Sequence, residues 1–132
     1  MKYFWIVLSL LVSVSAFAQE SSPADREKQL RESIDKTIEK YEKTLNLEYW
    51  QVFYIDSILT HDYGAMVAEL EEKSRAKVEG SDIYIQVQDR WNEQMYNSIA
   101  KVLNDEQWAK YLKQGAAREK KARDKRADKR SK

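Results

Sequence analysis

The sequence predicts an all-α fold, a small bundle of about four helices built on a long antiparallel helical hairpin. Three observations carry this reading. The 132 residues include one Pro and three Gly, too few for a strand-rich or loop-rich chain. Glu, Lys, Arg, Gln, Ala and Leu, the good helix formers, dominate. Apolar residues recur at intervals of three and four over most of the length. There is no Cys, so packing rather than disulfides must supply stability, and after loss of a leader enough residues remain for one domain with a modest core.

Residues 1–18 read as a secretory signal peptide. Lys2 is the positive start, Phe4 to Val14 is the apolar run, and Ala16-Phe17-Ala18 is an A-x-A cleavage site. The run is shorter than the roughly 20 apolar residues of an ordinary spanning helix, and no Cys follows it for lipid attachment. The expected product starts near Gln19 and is soluble and periplasmic.

Residues 19–115 are the expected helical domain. Ser22 or Pro23 opens the first helix. Leu30, Ile34, Ile38, Tyr41 and Leu45 form its apolar face, and it ends near Asn46. The second helix starts at Leu47-Glu48-Tyr49-Trp50-Gln51 and continues its apolar face through Ile55, Ile58, Leu59, Met66 and Leu70. Its N-cap is either Glu48, a poor capping residue, or Asn46, with Leu45 and Trp50 as a hydrophobic staple. Gly64 marks a bend or a close approach by another helix, and Asp62 is the residue at which the helix would restart if it broke. Gly80 is expected to end it with positive φ, and Ser81 or Asp82 to cap the third. Ile83, Val87, Trp91, Met95, Ile99 and Val102 are the third helix's inner face.

A second start signature, Leu103-Asn104-Asp105-Glu106-Gln107, opens a fourth helix with Trp108, Tyr111 and Leu112, which Gly115 ends. Here the mechanics are clear. Asn104 as N-cap places Gln107 at N3, a capping box, and Leu103 and Trp108 flank it as the staple. Each signature puts Gln four positions after Leu, and each opens an apolar helical stretch. The pair resembles the LTxxQ motifs of the Spy/CpxP family of small helical periplasmic proteins, with Glu48 standing where the motif has Thr. The resemblance covers roughly residues 45–112. It implies a dimeric, antiparallel, cradle-like arrangement that holds unfolded or stress-damaged envelope proteins without ATP. The alternative function is an adaptor that docks on one envelope partner or membrane sensor.

Residues 49–55 carry apolar side chains around nearly the whole helix, so one neighbour cannot cover them. Either this is a core helix sandwiched between others, or Tyr49, Trp50 and Phe53 form a client or dimer surface. The chemistry of enzymes is not visible. His61 is the only His, too few for a zinc site without Cys. No Ser sits in a nucleophile elbow and no Gly-rich loop is present. No cofactor, metal or catalytic residue is expected.

The charge is unevenly placed. Residues 19–115 hold 13 Lys and Arg against 19 Asp and Glu, whereas residues 116–132 hold 9 against 3. An acidic body thus bears a basic tail. With no large apolar side chain, the tail is expected to bury nothing and to be a solvated helix or disordered. It reads as a solvated solubility tail, with anionic phospholipid headgroups or acidic clients as the alternative partners; export and an acidic body argue against nucleic acid.

Overall fold

A computed structural model of the chain describes residues 22–132; the expected signal peptide and its cleavage site lie outside the described residues. Among these, five α-helices and no strand occur: α1 (Pro23–Leu45), α2 (Tyr49–Arg75), α3 (Ser81–Ala100), α4 (Asp105–Tyr111) and α5 (Ala117–Arg130), with a π-type turn, Leu112–Ala116, between the last two. The chain divides between Glu32 and Ser33. On the first side, Ser22 Oγ accepts from the Asp25 N–H at 3.2 Å, so Ser22 is the N-cap and Pro23 the first helical residue.

From Ser33 onward the frame is the antiparallel hairpin of α2 and α3. Its cross-links run in opposite directions along the two helices. Glu69 accepts from Arg90 and from the Trp91 indole, Asp62 accepts from Gln94 at 3.1 Å, and Gln51 donates to the Val102 carbonyl at 3.0 Å. The buried apolar set is Ile34, Ile38 and Leu45 of α1, Ile55 and Leu59 of α2, Val87, Met95 and Ile99 of α3, and Leu103. These follow the intervals of three and four expected for inner faces. Ile83 departs from the pattern. At the first turn of α3 it is 38% exposed.

Aromatic rings extend this small core. Tyr96 meets Trp108 edge-on at 4.9 Å, Trp108 stacks on Tyr111 at 5.4 Å, and Tyr111 meets Tyr41 at 5.6 Å. The chain of rings ties α3, α4 and α1 together. Burial pushes the Tyr41, Tyr63 and Tyr111 phenols up from the usual tyrosine range, so all three stay neutral.

Several expected breaks lie elsewhere. α2 runs unbroken through His61, Asp62 and Gly64. A Cβ at Gly64 would meet nothing within 4 Å, so neither a close helix nor a restart explains it. Gly80 does not end α2. The helix stops at Arg75, and Lys77 takes the left-handed conformation at φ 54°. The Val78 N–H then bonds to the Lys73 carbonyl and the Lys77 N–H to that of Ser74, a Schellman closure with Lys in the usual Gly position. Gly80, at φ 101°, is instead the residue before α3, so neither Ser81 nor Asp82 caps it.

The basic tail takes the helical alternative but is not wholly solvated: Arg123 is only 7% exposed. Gly115, at φ 113°, turns the chain after α4 so that α5 returns to α3. There Arg126 grips Asp89 with two bonds of 2.7 Å, Arg123 bonds Glu93 at 3.0 Å, and Lys120 bonds the same carboxylate. Arg123 and Lys120 also lie over the Tyr96 ring, at 5.4 and 5.6 Å. The tail lacks large apolar side chains, but arginine carries its own aliphatic stem and a flat cation into the contact.

Candidate functional site

The two start signatures meet. Glu48 and Asn104 are the residues before α2 and α4, and both have extended backbone. Asn46 is not a cap. At φ 52° it is the left-handed residue that closes α1. Trp50 is not half of a staple with Leu45 either. Leu45 is buried, whereas Trp50 is exposed and its indole N–H donates to Glu48 Oε2 at 2.6 Å. At the second corner the capping box is complete. Asn104 Oδ1 accepts from the Gln107 N–H at 2.9 Å, and Gln107 Oε1 accepts from the Asn104 N–H at 3.0 Å. Leu103 is buried beneath it, and Trp108 joins the ring chain. Asn104→Ala is expected to cost about 1 kcal/mol, measurable as a lower denaturant midpoint with unchanged slope.

Gln51 and Gln107 are both buried and face each other. Gln51 Nε2 donates to Gln107 Oε1 at 2.6 Å, and Gln107 Nε2 returns a bond to Gln51 Oε1 at 3.0 Å. Each oxygen also accepts from its own helix-start N–H, Glu48 at 2.9 Å and Asn104 at 3.0 Å. Each nitrogen also reaches the chain just before the other corner. Gln51 bonds the Val102 carbonyl at 3.0 Å, and Gln107 shares its second proton between the Leu45 and Asn46 carbonyls at 3.3 and 3.5 Å. Both amides therefore use two donors and two lone pairs, the full capacity of the group. The arrangement is a local pseudo-twofold: Asn46, Glu48 and Gln51 correspond to Val102, Asn104 and Gln107.

No protein-family model, curated protein or solved structure matches this chain. The two corners are therefore read from their own residues. Their chemistry is architectural. Neutral, saturated amides offer no nucleophile and no proton to transfer.

The first turns of α2 are of another kind. Tyr49 is 96% exposed, Phe53 69%, Tyr54 53% and Trp50 51%. Ring contacts join Trp50 to Tyr54 at 6.1 Å and Phe53 to Tyr54 at 5.8 Å. Ile55, in contrast, is fully buried, so the helix divides cleanly into a core side and an aromatic outer side. Four such side chains leave on the order of 500 Å² of aromatic surface in water, comparable with the largest patch on a typical monomer. Tyr54 extends the expected surface of Tyr49, Trp50 and Phe53; it lies about 100° around the helix from buried Ile55. Beside Trp50 an open groove of about 460 Å³ runs between the corners, with Glu48, Glu106, Lys101 and Lys110 on its walls.

His61 lies on the surface. Its Nδ1 is 2.8 Å from Asp62, whose side chain is buried and also accepts from Gln94. Among the described residues no three His, Asp or Glu side chains converge as metal ligands, and no helix is long and apolar enough to cross a membrane.

Proposed function

We propose that this protein is a periplasmic, ATP-independent, chaperone-like binder of unfolded envelope proteins, and that Tyr49, Trp50, Phe53 and Tyr54 are its client-binding surface. The observation that carries the reading is the exposed aromatic patch on an otherwise strongly charged molecule. Exposing these rings costs hydrophobic free energy that the isolated chain does not recover. Tyr and Trp tolerate water yet bury large areas on contact, so they suit weak binding to many sequences. The mixed-charge groove beside Trp50 supplies polar contacts for an extended chain. The corners fix this surface, because Gln51 locks the first turn of α2 from within while its neighbours point outward. The periplasmic placement rests on the expected signal peptide, and the family resemblance of the corners supports the class of function.

The second occupant that the patch fits is another copy of the chain, as in the cradle dimer that the resemblance implies. Light scattering at micromolar concentration tests for that dimer, and Phe53→Glu should shift it toward monomer. The functional test is suppression of aggregation. Protein lacking residues 1–18 should delay light scattering by a chemically unfolded client without ATP. Trp50→Ala and Phe53→Glu should weaken the delay and leave the circular dichroism spectrum unchanged. No protection of two unrelated clients at several-fold molar excess would sink the holdase reading and favour an adaptor with one dedicated partner.

A further inference from the structure

The cations of α5 fall into two rows. Lys120, Arg123, Arg126 and Arg130 face α3, where their partners are Glu93, Asp89 and Asp82. Arg118, Lys121, Lys125 and Lys129, spaced three, four and four, share the opposite face. All four are exposed, and no carboxylate among the described residues pairs with them. Folding does not account for this second row. Like charges four apart on a helix repel and are destabilising. The contacts that dock the helix all belong to the inner row.

We propose that the outer row of α5 is a docking surface for an anionic phospholipid bilayer. The geometry favours a flat partner. The row is straight and about 16 Å long, it lies on a convex helix, and the inner row holds it facing outward. Three of its four members are lysines, which act as point charges rather than as bidentate forks for individual groups. α5 has no aromatic side chain on which bases could stack, and the chain from 19 to 115 is acidic, which disfavours wrapping by a nucleic acid. The net negative charge of residues 19–115 opposes adsorption through the body, so α5 orients the contact. α5 also lacks large apolar residues to insert, so attachment is electrostatic and reversible, and fades beyond a Debye length of about 8 Å at physiological salt.

Co-sedimentation with vesicles tests this. The chain without residues 1–18 should bind vesicles of mixed phosphatidylglycerol and phosphatidylcholine at low salt. It should not bind pure phosphatidylcholine, and high salt should release it. Changing Lys121, Lys125 and Lys129 together to Gln should reduce binding at least about ten-fold, while helicity and the protection of client proteins stay at wild-type levels. The corresponding Glu variant should abolish binding. Equal binding to both vesicle types, no binding to either, wild-type binding by the Gln variant, or tighter binding to duplex DNA than to the anionic vesicles would each overturn the proposal.

Discussion

Replacing Gln107 by Ala is expected to destabilise the fold by about 3 kcal/mol, because it leaves the second Gln51 donor, the Asn104 N–H and the carbonyls closing α1 without a partner in a buried site. For a domain of this size the melting temperature should fall by roughly 10–20 °C. Gln107→Glu is the sharper variant. It is nearly isosteric, yet it turns the donor into an acceptor facing the Gln51 oxygen and two carbonyls. A carboxyl there is expected to have a raised pKa, from burial and from the facing oxygens. Because the folded pKa exceeds the unfolded one, the protonated form stabilises, and that contribution disappears as pH rises through the folded value. Gln107→Glu should thus be most stable at mildly acidic pH and weakest above neutrality. A double-mutant cycle of Gln51→Ala and Gln107→Ala should show coupling of about 1–2 kcal/mol, since either single change already breaks the reciprocal pair. Additive losses would contradict the pairing.

The second large effect concerns α5. Asp89→Asn combined with Glu93→Gln should release the helix from α3 and melt much of it, because a 14-residue helix without large apolar side chains is marginal alone. Hydrogen exchange across residues 117–130 should accelerate sharply while the amides of α2 and α3 stay protected. Acid should do the same. The Arg126 hydrogen bonds hold Asp89 below the usual carboxylate range. Desolvation pushes Glu93 up, but the bonds from Lys120 and Arg123 outweigh it and the net shift is downward. Depressed carboxylates stabilise above the unfolded value of about 4 and lose that contribution as pH falls through the folded values. Undocking should therefore begin below about pH 4, and high salt at neutral pH should mimic it in part. Uniform exchange rates in wild type and variant would mean that the ion pairs do not hold α5.

The helices and the corner at Asn104 were legible because both are written locally. Apolar spacing marks the inner faces, and a capping box occupies four consecutive residues. What escaped was of two kinds. Lys77 in a left-handed turn is unfavourable for its residue type, so composition pointed to Gly80 instead. The Gln51–Gln107 pair and the docking of α5 join residues far apart in the chain by polar groups, and a search for apolar periodicity passes over them. Each left a trace. Gln stands at the same offset in both corners, and Asp89 and Glu93 sit four apart on α3 with Arg and Lys at intervals of three on the tail. The aromatic run after Glu48 left two readings open, and the burial of Ile55 beside exposed Tyr49, Phe53 and Tyr54 favours a surface over a sandwiched core helix.

The most direct measurement of the client-surface claim is amide chemical-shift mapping of the protein, lacking residues 1–18, titrated with a chemically unfolded client. The account predicts concentration-dependent shifts or broadening concentrated at residues 49–54, fast exchange as expected of weak binding, and their loss in Trp50→Ala. Perturbations that bypass residues 49–54, or none at client concentrations at which aggregation is suppressed, would contradict it.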